Sequence, residues 1–164
     1  MQTKGEIHTL ARGEVAAAWA LEVAGYPAEE AASLETLEYR QREAGELFLG
    51  NFINGKLIGF ICGTRSVVDH LTARSIEVHE PTGTTVCIHS LCVDPVQRRH
   101  GIALRLLRHL VETVPRAHPT VRRICLISHQ HLLPLYTKAG FTVLGPSSVT
   151  YGPDPWYECA IDLS

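Results

Sequence analysis

Between Thr84 and Glu112 the chain reads T-T-V-C-I-H-S-L-C-V-D-P-V-Q-R-R-H-G-I-A-L-R-L-L-R-H-L-V-E, and no other stretch restricts the possible folds as much. Residues 84–93 carry Val86, Ile88, Leu91 and Val93 between Gly83 and Asp94-Pro95, a strand signature. Residues 94–98 read as a short loop. From Arg99-His100 the apolar residues Ile102, Leu106, Leu107, Leu110 and Val111 recur at helical spacing, which predicts a helix to Val114. Gly101 and Ala103 fall in its first turn, where small residues let a ligand approach the main chain and free amides suit an anion. Arg98 and Arg99 add positive charge. A strand, a basic turn and a helix opening with Gly and Ala suit a pyrophosphate, although a charged loop before an ordinary helix has the same residues. The segment is not a P-loop, since no Gly-Lys-Ser/Thr follows, and it lacks the dinucleotide G-x-G-x-x-G.

The remaining elements follow from punctuation and period. Residues 5–10 predict a first strand; Gly13 to Ala24 a helix with Val15, Trp19 and Val23 on one face; Ala28 to Glu43 a second helix. Glu46 to Asn51 and Lys56 to Thr64 read as strands joined by Asn54-Gly55, a strong hairpin signal. Val67 to Ser75 reads as irregular helix or loop, Glu80 to Gly83 as a turn and Pro115 to Pro119 as a loop. A strand at Val121 to Ser128, a short helix at Leu132 to Ala139, and strands at Phe141 to Val149 and Trp156 to Leu163 complete the series. The order β-α-α-β-β-β-α-β-α-β-β suits an α/β fold, a mixed sheet with helices on both faces.

Size and composition narrow the function. A chain of 164 residues fits one domain, 1–164, burying about 70% of its unfolded surface. A net charge of −2 argues against bulk attraction to nucleic acid, and no apolar run approaches a membrane span or signal peptide. Five cysteines (Cys62, Cys87, Cys92, Cys125, Cys159) sit singly in apolar segments, which suggests reduced core thiols and a cytoplasmic protein. No histidine pair has a convincing metal-ligand context, so no metal is expected.

The loop Arg98 to Ala103, R-R-H-G-I-A, resembles the R/Q-x-x-G-x-G/A signature of the GNAT acetyl-CoA-dependent N-acetyltransferases, and the element order is that of the GNAT fold, with a mostly antiparallel sheet. Four segments narrow the resemblance: C-I-H-S-L-C-V at 87–93, L-L-P-L-Y-T-K-A-G-F at 132–141, V-H-E-P-T-G at 78–83 and W-A-L-E-V-A-G-Y-P at 19–27. Together they resemble the arylalkylamine (serotonin) N-acetyltransferases, in particular the short non-vertebrate type. The resemblance implies acetyl-CoA as co-substrate, held by Leu91, Cys92 and Val93, then by Arg98, Arg99, His100, Gly101, Ile102, Ala103 and Leu104, with Tyr136 beside them. It implies His89 as the base that deprotonates the amine, the Leu91 amide as an oxyanion donor and Tyr136 as the acid for the leaving thiolate. Tyr26, Pro27, Ile88, Ile127 and Trp156 would line an aromatic amine pocket. Cys92 is not required as a nucleophile.

By residue type alone, His89 reads as a hydrogen-bonded core histidine, Tyr136 equally as half-buried packing, and Trp156 as a core strand residue. Two departures stand out. Vertebrate members carry a second histidine where this chain has Cys87, so His89 is expected to act more alone; and His8-Thr9-Leu10 lacks the basic pair of the phosphorylation site that an adaptor reads, so adaptor binding is not expected. A monomer is expected. The competing readings are a polyamine or diamine acetyltransferase, using Glu22, Glu38 and Glu77, and a non-catalytic acyl-CoA-binding module.

Overall fold

The structure, a computed structural model, describes residues 4–163. Its centre is an 11-residue strand, β3 (Lys56–Ser66), buried along nearly its whole length because helices cover both its faces. The hairpin to β2 (Phe48–Ile53) turns through Asn54 and Gly55, both at positive φ (51° and 77°), as a tight two-residue turn requires. With β1 (Glu6–Thr9), β4 (Thr85–Val93), β5 (Arg123–Ser128), β6 (Thr142–Pro146) and β7 (Tyr157–Asp162), they form one sheet in the order β1-β2-β3-β4-β5-β7-β6. Every neighbouring pair is antiparallel except β4 and β5.

Helices α1 (Val15–Gly25) and α2 (Leu34–Glu43) lie on one face, packing Val15, Ala18 and Leu37 against Phe48 and Phe60. On the other face α4 (Ile102–Ala117) sets Ile102, Leu106, Leu107, Leu110 and Val114 on the sheet, and Tyr136 of α5 (Leu133–Lys138) joins the same cluster. The short α3 (Ala73–Glu77) begins with a reciprocal cap between Thr72 and Ser75. No helix among the described residues is long and apolar enough to cross a membrane.

Two irregularities shape the centre. First, β4 and β5 pair only through Thr85–Arg123, Val86–Ile124 and Cys87–Cys125. Beyond those pairs β5 keeps its ladder with β7 as far as Ser128 while β4 runs on to Val93, so the sheet opens between them. Second, the β3–β4 register passes from Cys62–Ser90 to Gly63–Ile88, leaving His89 as the extra residue of a β-bulge. Gly63 allows the close approach: a Cβ there would lie 2.7 Å from the Cys87 carbonyl oxygen.

Several elements differ from expectation for identifiable reasons. The second helix starts at Leu34 and not at Ala28. Residues 27–33 instead form a turn in which Glu30 and Ala31 amides donate to Pro27 O, while the Ser33 side chain caps α2 by accepting from the Thr36 amide. In α1 the buried face is Val15, Ala18 and Glu22, leaving Trp19 and Val23 exposed at 39% and 53%. Glu22 is drawn inward because its carboxylate accepts from the Ala32 amide (2.8 Å) and the Cys92 thiol (3.4 Å). Helix α4 starts at Ile102, after left-handed Arg99 and Gly101, and it absorbs Pro115 in its last turns. Residues 45–47 form a single 3-10 turn before β2, residues 73–77 form α3, and β6 ends at Pro146.

Gly63→Ala should force the backbone at Cys87 to move and cost about 1–3 kcal/mol. Urea unfolding reads the cost; an unchanged midpoint would mean that the bulge accommodates a side chain freely.

Candidate active site

The opening between β4 and β5 separates two concave surfaces. One is a groove of about 680 Å3 over the start of α4, lined by Val93, Arg98, Arg99, Gly101, Ile102, Ala103 and Leu104, with Pro134, Leu135, Thr137 and Lys138 of α5 opposite. Three cations and no carboxylate line it. The first hydrogen bond within α4 runs from the Arg105 amide to Gly101 O, so the Ile102, Ala103 and Leu104 amides have no partner inside the helix. Gly101 stands at φ 76° with open space where a side chain would project. Free amides, the positive helix end and the cations together fit a polyphosphate such as the pyrophosphate of CoA.

The other surface is a cavity of about 250 Å3 on the α1/α2 side. Its lining includes Tyr26, Ile88, His89, Leu91, Ile127, Tyr136 and Trp156. Glu22, Glu29 and Glu30, together with Arg40, bring charge to it.

His89 is held by a directional chain. The Thr64 hydroxyl donates its one proton to Ser75 O (3.0 Å), so at 2.7 Å it must accept from His89 Nε2–H. That fixes the tautomer: Nδ1 carries the free lone pair, has no protein partner among the described residues and is not sealed from the cavity. Burial, helped by the Arg40 charge, holds His89 well below its usual pKa, so it is neutral at physiological pH.

Tyr136 is buried, and burial raises its pKa above the ordinary phenol range, so its proton stays in place. The Leu91 amide faces the open side of β4, where it donates to the Tyr26 hydroxyl at 3.3 Å. This is a long bond that a better acceptor can replace. Cys92 turns its thiol toward Glu22 on the α1 side, and burial pushes its pKa far up, so no thiolate forms. All five cysteines are buried and free; Cys87 and Cys125, whose sulfurs lie 3.4 Å apart, mark the last pair before the strands part.

The arrangement joins some of the residues singled out from sequence and separates others. Val93, Arg98, Arg99 and Gly101 to Leu104 share the groove; His100 is exposed outside its lining, and Leu91 and Tyr136 border the cavity instead. Pro27 is exposed and does not line the cavity, because the 27–33 turn presents Glu29 to Ser33 there. Of Glu22, Glu38 and Glu77, Glu22 alone lines it. Arg40, Thr64 and the α5 wall of the groove were not anticipated. Gly63 was the available signal for the bulge, and Arg40 carried no signal, since a polar residue in a helix ordinarily reads as solvent-facing. No group of three or more His, Cys, Asp or Glu among the described residues could hold a metal ion.

A central sheet opened at its parallel pair, with a basic helix start beside the opening, defines a class, and sequence comparison agrees: residues 15–141 match the Acetyltransferase (GNAT) family, and the chain belongs to it. Among individual relatives it is 38% identical to the serotonin N-acetyltransferase of Mesocricetus auratus over 122 residues, 72% of this chain and 56% of that protein. It is 32% identical to the Homo sapiens enzyme of the same name over 111 residues, 65% of this chain and 51% of that one. The chain thus spans about half the length of the curated relatives it matches. Among solved structures, a GphF GNAT-like decarboxylase in complex with isobutyryl-CoA superposes with a TM-score of 0.83 at 18% identity, covering 97% of this chain and all 100% of that one. Arabidopsis thaliana Naa50 in complex with a bisubstrate analogue gives 0.75 at 16%, covering 98% and 100%. At those identities the structures establish the fold alone.

Two measurements follow. Gly101→Val should raise the Kd for CoA by roughly tenfold or more by calorimetry, because a β-branched residue strains the left-handed position and fills the open approach. Unchanged affinity would remove the groove as the CoA site. Separately, His79, His89 and His118 are all held below their usual pKa, chiefly by burial. The unfolded chain, with histidines near about 6.5, then binds more protons than the folded one below that pH. Stability should be full above about pH 6.5 and fall as pH drops through the folded values, and His89→Gln should flatten part of that fall in melting curves.

Proposed function

We propose that this protein transfers an acetyl group from acetyl-CoA to the primary amine of an arylalkylamine of the serotonin, tryptamine, tyramine or phenylethylamine type. The observation that carries the reading is the His89 bulge: a neutral imidazole with Nε2 committed to Thr64 and Nδ1 open to a cavity in which Tyr26, Tyr136 and Trp156 share the lining with charged side chains. The serotonin N-acetyltransferase relatives support an amine acceptor.

Acetyl-CoA supplies the activated thioester, and the basic groove holds its phosphates. A primary alkylamine, with a pKa of about 10, arrives as an ammonium and must lose a proton before it can attack. His89 Nδ1 takes that proton, directly or through water, and passes it to solvent. The Leu91 amide exchanges the Tyr26 hydroxyl for the developing oxyanion. Tyr136 gives its phenol proton to the departing sulfur and recovers the second proton that the amine nitrogen sheds. Cys92, held as a thiol, takes no part.

Polyamines fit less well. Glu22 is engaged by Ala32 and Cys92, Glu30 is engaged by His129 (3.0 Å), and Arg40 adds a buried cation to the same lining, which disfavours a second ammonium.

A thiol-release assay against an amine panel tests the reading: phenylethylamine or tryptamine should exceed spermidine in kcat/KM, and the reverse order would install the polyamine reading. His89→Gln should lower kcat/KM by roughly 10²–10⁴-fold, with the loss shrinking as pH rises and more amine is already neutral. Tyr136→Phe should lower kcat with less effect on amine KM. A purely structural His89 would instead lower Tm and leave the turnover of the folded protein and its pH profile intact.

A further inference from the structure

Arg40 is the one charged side chain of the acceptor cavity whose presence the proposed chemistry leaves unexplained. It lies in α2, 3% exposed, and lines the cavity together with His89 and Ser90. Its Nη2 donates to Ile76 O at 3.2 Å and its Nη1 only approaches the Cys62 sulfur, at 4.0 Å. Its Nε has no partner, and among the described residues no carboxylate pairs with it. A guanidinium offers five N–H donors in a planar fork; here most are idle.

A buried charge without a counter-ion is strongly unfavourable unless something else supplies one. The cavity's own anions do not. Glu22 is committed to Ala32 and Cys92, Glu30 to His129, and Glu29 is exposed at the rim. Apolar packing does not need a cation here either, since a neutral side chain of equal length would fill the same space. The unmet demand is for oxygen, and a carboxylate meets it best, accepting two parallel bonds from the fork.

We propose that Arg40 is a specificity determinant that binds a carboxylate carried by the acceptor, so that among arylalkylamines those that also bear an acidic group are preferred. This rests on the reading that the cavity seats the acceptor amine. Such an acceptor joins the two halves of the site. Its amine faces His89 Nδ1 and its anion faces Arg40, whose charge otherwise adds to the burial that keeps His89 a weak base. Seating the anion offsets that charge and strengthens the base once the acceptor is bound.

Three probes test this: phenylethylamine, phenylalanine, which adds a carboxylate next to the amine, and 4-(2-aminoethyl)benzoate, which places it on the ring. With the wild-type protein, at least one carboxylated probe should exceed phenylethylamine in kcat/KM by roughly tenfold to a hundredfold. Arg40→Met should abolish that preference, read as the ratio of carboxylated probe to phenylethylamine within the variant, because loss of the Arg40 charge also raises the basicity of His89 and alters the rate for every amine. Its Tm should hold or rise, since a neutral isostere removes a buried charge. If Arg40→Met does not fold, Arg40→Lys keeps the charge without the fork and should shrink the preference. Equal use of all three probes by the wild type overturns the proposal, as does a preference that survives either variant. Calorimetric binding of the carboxylated probes to the CoA-loaded protein reads the same preference without turnover. If no amine is acetylated, the acetyltransferase reading fails; the Arg40 site fails only if the carboxylated probes also bind no better than phenylethylamine.

Discussion

The parting of β4 from β5 is the constraint on which the site depends. A parallel ladder runs for three residue pairs and then stops, although both strands continue. Inside a sheet this is costly, because every main-chain N–H and C=O left without a neighbour must find another partner. The bulge at His89 adds local twist and steers β4 away, and Gly63 makes the bulge sterically possible. What the strands no longer give each other becomes available to something else: the Leu91 amide, for now resting on the Tyr26 hydroxyl, is such a group. The cavity and the groove lie on either side of this opening, with Leu91 on one and Val93 on the other.

Charge is sorted across the same divide. The groove sets three cations and the free amides of the α4 start among apolar walls, with no carboxylate, which suits a ligand whose phosphates are constant. The cavity mixes apolar walls with buried acids and one buried base, which suits a ligand recognised by a few points. Burial acts on its titratable groups in a common direction, keeping each neutral: His89 unprotonated, Tyr26 and Tyr136 protonated. The site's charge therefore comes from Glu22, Glu29, Glu30 and Arg40; Glu22 is held by the Ala32 amide, Glu30 by His129, Glu29 is exposed, and Arg40 has the Ile76 carbonyl and no carboxylate.

Legibility followed the range of the interaction. Helix α4 could be read because its period, its glycine start and its apolar stripe are local, and the β2–β3 turn could be read because Asn54-Gly55 is sufficient by itself. The groove's first wall was visible for the same reason, whereas its α5 wall, Pro134 to Lys138, arrives from a segment well downstream of α4's start, beyond the intervening β5. In α1 the hydropathy of single residues misled: Trp19 faces outward and Glu22 inward, since the partners of Glu22 are an amide ten residues on and a thiol on β4. Pattern reading assigns a carboxylate to solvent unless its partners are known, and these are tertiary. His89 was singled out, but its tautomer rests on Thr64 and Ser75, which only the folded chain brings together.

The tie between Glu22 and the 27–33 turn has an evolutionary consequence. The side chain grips the turn by the Ala32 main-chain amide, a group that every residue except proline supplies. Side chains along the turn that make no tie of their own, Glu29 and Ala31 among them, are therefore free to drift without loosening the anchor. A lineage can rewrite the rim of the cavity while its attachment to the core, and with it the geometry around β4, is inherited unchanged.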